Sequence, residues 1–330
     1  MKNILLVCPM ADKQSGIYLH DSFIQMGYSV AFIDWKKVIE EKGAKGYNDM
    51  LVEAVGELKP DLTLIIKGLE IYPKTITLMR EQHKHPIVGW IFDVTLGGTM
   101  VKDVPDYVAF TKELDTFYTI DVDGVTELQE LGVNAKWLSE GCFLPDHSEP
   151  VYNFMQKKKY GADIVFLGSV GGIHPSRDAL LESVYDEGFS FKLYGPVLFA
   201  EGEDPAWVKD SHTGFLAIND YHSLVCNASK IVIGIDGWPE REKAYSARLY
   251  RTLCAGGFLL TSSTKGIEEN FVPGQHIAVY NDADDLKEKL AYYLNNDEER
   301  ERISKAGQEL VLEKHQFKHR LQQIVDDCTK

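Results

Sequence analysis

The sequence predicts an α/β protein built from two doubly wound open sheets in tandem. Three observations carry that expectation. Short apolar runs of strand length alternate with helical segments from the start of the chain to about residue 140, without the paired-run pattern of a hairpin. The alternation lapses between about Pro145 and Gly161 and then restarts. The chain's 330 residues also exceed the roughly 250 to 300 over which one core grows, so two cores are expected.

Taken in order, Asn3 to Cys8 (NILLVC) is continuously apolar, as a strand buried on both faces of a parallel sheet must be. A loop, Pro9 to Gly16, leads to a helix ending near Met26, where Gly27 supplies the stop, and Ser29 to Asp34 forms the next strand. Leu51 to Leu58 reads as helix, broken by Pro60, and Asp61 to Ile66 is a third strand closing on Lys67-Gly68. A helix over about Lys74 to Gln82 precedes a fourth strand, Pro86 to Phe92, which ends on Asp93. Phe117 to Ile120 and Ala135 to Leu138 are short strands around a helix at Gly124 to Leu131.

The second half opens with a strand at Asp163 to Leu167, a Gly-rich loop at Gly168 to Gly172 and a helix from about Pro175 to Asp186. Phe191 to Tyr194 is a strand running into Gly195-Pro196; Tyr221 to Ala228 is helical and Lys230 to Ile235 is a strand, followed by a charged loop, Asp236 to Lys243. Leu249, Leu253 and Cys254 recur at helical spacing before Gly256-Gly257, and Phe258 to Thr261 is a buried strand. The small residues Thr261 to Thr264 then lead through Lys265-Gly266 into a further helix at Ile267-Glu268-Glu269, and His276 to Tyr280 is a strand. Free backbone N–H groups at a strand's carboxyl end beside a helix start are where α/β proteins hold phosphorylated ligands. Leu286, Leu290 and Leu294 line one later helix, Ile303 and Leu310 another, and Phe317, Leu321, Ile324 and Val325 form a stripe on a terminal helix. The expected division is therefore 1–145 and 162–312, joined by a linker at 146–161, with 313–330 as a terminal helix.

Composition narrows the function. A hydrophobic share of 44% with 26% charged residues is that of an ordinary globular protein. The net charge of -15 opposes broad, nonspecific binding to nucleic acid or anionic membrane, though a local basic patch stays compatible with it. No apolar run reaches the roughly 20 residues of a membrane span, and the N-terminus enters a strand directly, so a cytoplasmic protein is expected. The five cysteines lack CxxC spacing and the histidines lack any HExxH pattern, so reduced thiols and no metal site are expected.

The segment SARLYRTLCAGGFLLT from Ser246, with Gly266-Ile267-Glu268-Glu269, Phe271, Pro273-Gly274, Asp285-Leu286, Ala306-Gly307 and the ending His315-Gln316-Phe317 with His319-Arg320, resembles the C-terminal half of GT-B glycosyltransferases. The nearest resemblance is to the CgeB-like spore-maturation family, related to glycosyltransferase groups 1 and 4. It covers about 100 residues strongly and the first half loosely, through Gly89 to Asp93 and Asp121 to Gly132. The resemblance implies two Rossmann-like domains facing a cleft, with the last helix crossing back to the first domain. It further implies transfer of a hexosyl or related sugar from a nucleotide diphosphate-sugar to an acceptor, with no cofactor beyond that donor and no metal. The acceptor (glycan, protein, small molecule or nucleic-acid base) and the oligomeric state stay open. An epimerase or hydrolase on the same fold, and a non-catalytic nucleotide-sugar-binding or scaffold protein, are the alternatives.

On that resemblance the donor contacts are Gly168, Ser169, Arg177, Ser246, Arg248, Arg251, Lys265, Gly266, Ile267 and Glu268. Arginines, lysines and helix starts suit a leaving diphosphate because they offset its growing negative charge. Asp93, at a strand end, is the candidate base or acceptor-orienting carboxylate. Ser15, Gly16, Gly172, His174, Gly195 and His212 are candidate cleft contacts. Asp121-Val122-Asp123 has DxD spacing but precedes a helix, where an N-cap is the expected role, and Lys157 to Lys159 reads as a solvated run. Two positions depart from the family: Arg251 stands where a ribose-holding Glu is usual, and Lys243 where retaining relatives carry another Glu. Arginine only donates hydrogen bonds, so it cannot replace that acceptor. Ribose held by Glu240 or Glu242, an unusual donor and a lost activity all remain open, as do retention and inversion.

Overall fold

The structure is a computed structural model that describes residues 1–10, 15–93, 105–144, 150–171, 175–217 and 220–329. The chain divides into two compact units, residues 1–140 with 317–330, and residues 141–316.

The first unit contains β1 (Asn3–Val7), α1 (Ser15–Gln25), β2 (Ser29–Ile33), α2 (Trp35–Leu58), β3 (Leu62–Ile66), α3 (Pro73–Gln82), β4 (Ile87–Trp90), α4 (Pro105–Lys112), β5 (Thr116–Thr119), α5 (Val122–Glu130) and β6 (Ala135–Trp137). Its six strands lie in the order β2-β1-β3-β4-β5-β6, every pair parallel. β3 and β4 are buried along their whole length, which is why their sequences run apolar without alternation.

In the second unit come α6 (Phe154–Tyr160), β7 (Ile164–Leu167), α7 (Pro175–Asp186), β8 (Phe191–Tyr194), α8 (Ala206–Ser211), α9 (Asp220–Ala228), β9 (Ile231–Gly234), α10 (Ala247–Cys254), β10 (Leu259–Ser262), β11 (Ala278–Tyr280), α11 (Ala283–Leu294) and α12 (Asp297–Lys314). The strand order is β11-β10-β9-β7-β8, again all parallel. The order reverses between β7 and β9, and such a reversal leaves a crevice at the strands' carboxyl ends. The chain's entry to and exit from this unit run side by side: the Cys142 N–H donates to the His315 carbonyl at 3.0 Å.

The terminal helix, α13 (Phe317–Thr329), belongs to the first unit. Its buried face carries Phe317, Leu321, Ile324 and Val325, the stripe read from the sequence. Phe317 packs among Tyr18, Trp90 and Phe92 with ring centroids 6.3–6.5 Å apart. Arg320 Nε donates to the Ser139 and Glu140 carbonyls, each at 3.1 Å, and Asp327 accepts from the Tyr118 hydroxyl and the Lys136 ammonium, each at 2.9 Å. Phe317→Ala is expected to destabilise the first unit by about 3–5 kcal/mol, the range for truncating a fully buried aromatic; guanidinium unfolding followed by tryptophan fluorescence measures it, and a loss below about 1 kcal/mol would show that the helix docks by its polar contacts instead.

Several elements differ from the sequence reading. α2 starts at Trp35 rather than near Leu51: Asp34 caps it, and a kink at Gly43 (φ 69°) breaks the period by which it would be recognised. The 146–161 linker holds α6, closed by a reciprocal Asn153/Gln156 capping box. α4 and α8 carry no sequence signal, because each is under nine residues, too short for an apolar period to repeat. The segment after Gly266 is only a three-residue 3₁₀ turn, Ile267–Glu269. Asp121 caps α5, accepting from the Gly124 N–H at 2.6 Å, as its spacing indicated. All five cysteines are free, with only Cys328 partly open.

Candidate functional site

The most chemically ordered region of the second unit lies at the carboxyl ends of β7, β8 and β9. β7 ends at Leu167 and runs into Gly168, whose N–H donates to the Tyr194 carbonyl at 2.9 Å. Gly195, just past β8, has φ +147° and lies so close to Gly168 that a Cβ on it would stand 2.2 Å from the Gly168 carbonyl oxygen. Only glycine allows that approach. His212 secures the same turn from behind, its Nε2 2.9 Å from the Gly195 carbonyl, so the ring carries its proton on Nε2.

α10 starts at the third strand end. Asp236, just beyond β9, accepts the Ser246 N–H at 3.1 Å through one oxygen and the Thr264 hydroxyl at 3.0 Å through the other. The carboxylate thereby ties the start of α10 to the loop after β10, while Ser246 itself makes no side-chain cap. Within the first turn, Arg248 donates from Nε to the Leu167 carbonyl at 2.7 Å and from Nη1 to the Ile235 carbonyl at 3.2 Å. A single guanidinium thus bolts together the strand ends that flank the reversal point. It also lies over the Phe166 ring at 4.8 Å, and Arg177 approaches the same ring at 5.7 Å. Arg177 is buried, donates from Nη1 to the Ser169 carbonyl at 3.2 Å, and keeps its buried Nε without a hydrogen-bond partner. Burial, and then the charge of Arg177, lower the Arg248 pKa to about 10, with Asp236 opposing. Both arginines therefore stay charged at neutral pH, and the local field is positive.

These groups border a cavity of about 380 Å³. Gly168, Gly195, Ser246, Arg248 and Arg251 line it, together with His222 of α9 and the apolar Leu216 and Ala217. Its volume falls in the range of small-molecule sites, and it combines apolar walls with a few convergent polar groups. A larger cavity, about 850 Å³, opens at the opposite, amino ends of the strands around Ala162, Ser190, Lys230 and Phe258. There Lys230 is paired with Asp163 and Arg300 with Asp297, at 2.8 and 2.6 Å.

The structure brings together five of the sequence-derived candidates around the smaller cavity, with Ser169 and Arg177 beside it. Lys265, Gly266, Ile267 and Glu268 do not line it. Lys265 pairs with Glu242 at 3.1 Å, the Gly266 carbonyl accepts the Tyr245 hydroxyl at 2.9 Å, Ile267 is buried and Glu268 is exposed. Gly172 and His174 lie outside the described residues. Ser15 and Gly16 lie in the first turn of α1 rather than in a loop; a Cβ on Gly16 would stand 2.1 Å from the Pro9 carbonyl oxygen, so that glycine serves close packing. Asp93 pairs with Lys67 at 2.7 Å across the ends of β3 and β4, and Lys67, at φ 69°, is fixed in turn by the Tyr107 hydroxyl on its carbonyl.

His222 was not singled out in the sequence because nothing in DYHSLVCN marks it. Burial first, then the charges of Arg251 and Arg248, push its pKa from 6.5 to about 3, so it is neutral. Its Nδ1 lies 3.6 Å from the Cys226 thiol one helical turn on. An unfolded chain takes up this proton near pH 6.5 and the folded chain only near 3, so the unfolded state binds more protons between those values. Stability present above pH 6.5 is lost as pH falls through that window, by up to about 1.4 kcal/mol per pH unit. The stability advantage of wild type over His222→Gln should accordingly shrink between pH 7 and pH 5 in urea melts; a constant difference would mean that His222 takes up its proton in the folded state.

Comparison with known proteins fits this geometry. Residues 177–326 match the family model described as "Glycosyl transferase-like". No curated protein matches the chain in sequence. Among solved structures, HepE from Anabaena, in complex with UDP and glucose, is 12% identical over 100% of both chains with a TM-score of 0.68. Sucrose-phosphate synthase from Thermosynechococcus elongatus is 12% identical over 99% of this chain and 98% of its own, with a TM-score of 0.67. The lipopolysaccharide outer core galactosyltransferase WaaB is 10% identical over 98% and 99%, with a TM-score of 0.59. The chain therefore has the GT-B fold, and the part that matches a glycosyl transferase-like family includes α10 and most of the cavity beside it.

Proposed function

We propose that this protein is a glycosyltransferase that moves a sugar from a nucleotide diphosphate donor to an acceptor, with the donor held in the second unit. The observation that carries the reading is Arg248: a charged guanidinium, fixed by two strand-end carbonyls, borders a cavity at the sheet's reversal point beside the start of α10. A departing diphosphate gains negative charge, and a cation already held in place stabilises it without reorganisation. Arg177 and the first-turn N–H groups of α10 add to the same field. HepE, a structural neighbour, was solved with UDP, which supports a nucleotide ligand for this fold. Metal independence belongs to the proposal, because fixed arginines and helix N–H groups can offset the leaving charge without an ion. Lys265 to Glu268 would meet the donor only at its sugar end, and Asp93, with Lys67, would orient the acceptor. The nearest family in this reading is the CgeB-like one.

The test is a thermal-shift panel of uridine, guanosine, adenosine and thymidine diphosphate sugars, with and without EDTA. A donor at about 100 times its Kd adds roughly 2.7 kcal/mol of stability, a readily measured rise in Tm. If no donor raises Tm and none is hydrolysed, the reading falls. A second reading, a binding protein without transferase chemistry, is favoured by Arg251, which borders the cavity where the resembled family carries a carboxylate. Arg251→Glu separates the two: tighter donor binding in the variant would favour a degenerate site, whereas lost turnover would assign Arg251 a role of its own.

A further inference from the structure

The side chains of α6 form a surface that the sugar-transfer reading does not use. No residue of this helix is buried. Val151, Phe154 and Met155 are 102%, 77% and 69% exposed, three large apolar side chains within five residues. The helix is nevertheless well anchored from one side. Tyr160 packs on Phe215 and Tyr221, its carbonyl accepts the Tyr194 hydroxyl at 2.6 Å, and Lys192 Nζ donates to the Lys159 and Gly161 carbonyls at 2.8 Å each. Helical spacing then puts Phe154 in line with Lys158 and Met155 in line with Lys159 on the open side. The outward face is apolar in its first turn and basic in its second, with Lys159 lying over the Tyr160 ring at 5.0 Å.

We propose that this face docks the protein on an anionic lipid surface. Exposed aromatic and thioether side chains are costly in water and gain by entering the acyl boundary, while neighbouring lysines reach back to phosphate headgroups. Three consecutive lysines are a local exception in a chain of net charge -15, and that contrast selects anionic lipid as the occupant. A second copy of the chain is a poorer fit, because isologous pairing presents the same lysines to one another. The contact is peripheral: among the described residues no helix is long and apolar enough to cross a membrane.

The experiment is cosedimentation of the full chain with vesicles of phosphatidylcholine alone or mixed with phosphatidylglycerol, at low and high salt. It uses no nucleotide, so its outcome is independent of the proposed reaction. Binding is expected on the mixed vesicles only, and it should weaken as salt screens the lysines. Lys158→Gln with Lys159→Gln should weaken partition about thirtyfold, and Phe154→Ser with Met155→Ser at least about tenfold, both with wild-type Tm because the side chains are exposed. The proposal is overturned if wild type ignores the mixed vesicles or if both double variants bind them as wild type does. It is overturned equally if lipid-free sedimentation shows a wild-type dimer that Phe154→Ser with Met155→Ser makes monomeric, since the face is then a subunit interface.

Discussion

Arg248→Ala is expected to lower nucleotide-sugar turnover by about 10²–10³-fold, equivalent to roughly 2.7–4 kcal/mol of lost transition-state stabilisation. The loss has two sources. The charge that would face the leaving diphosphate disappears, and the Leu167 and Ile235 carbonyls at the cavity mouth lose their shared donor. Arg248→Lys should recover only part of the rate, because one ammonium cannot bridge both carbonyls while lying flat on Phe166. Turnover should be measured below each variant's own Tm, so that folding and chemistry stay separate. Wild-type turnover together with wild-type donor affinity in Arg248→Ala would remove the cavity from consideration as the donor site.

Gly195→Ala is expected to destabilise the second unit by roughly 3 kcal/mol or more and to abolish ligand binding at the cavity. The new methyl group would meet backbone, the Gly168 carbonyl oxygen at 2.2 Å and its carbon at 2.7 Å, and backbone cannot rotate out of the way as a side chain can. Strain at φ +147° adds to the overlap. Any retreat of Gly168 moves the segment against which Arg248 Nη2 packs. Gly188→Ala is the control: it too has positive φ, +76°, but nothing within 4 Å of its Cβ position, so only backbone strain of about 1–2 kcal/mol should appear. Equal losses in the two variants, measured by urea unfolding, would mean that the close approach at Gly195 is not tight in solution.

The two variants also show which parts of the site could be read in one dimension. The family resemblance places Arg248 in the site; that its charge is held by two strand-end carbonyls is a tertiary fact. Gly195 was legible only as a turn residue after a strand. That it meets Gly168 is a property of two strands adjacent in space but 27 residues apart in sequence. His222 gave no signal, because its neutrality comes from burial beside two arginines supplied by another helix. Lys265 to Glu268 looked like phosphate ligands on account of small residues and a helix start; the 3₁₀ turn there is short, and its lysine pairs with Glu242.

By itself the sequence determined the parallel strands, their order along the chain and the amphipathic terminal helix, since burial on one or both faces imposes a local periodicity that does not depend on which neighbour does the burying. It also located the segment at Ser246 and the unusual arginine at 251. The tertiary structure alone decided where the β7–β9 reversal brings its strand ends together, that one guanidinium holds both, and that α6 is fixed on its inner side with an apolar and basic face left open. Those facts depend on contacts between residues distant in sequence, and neither the charge nor the hydropathy of a single segment specifies its partner across space.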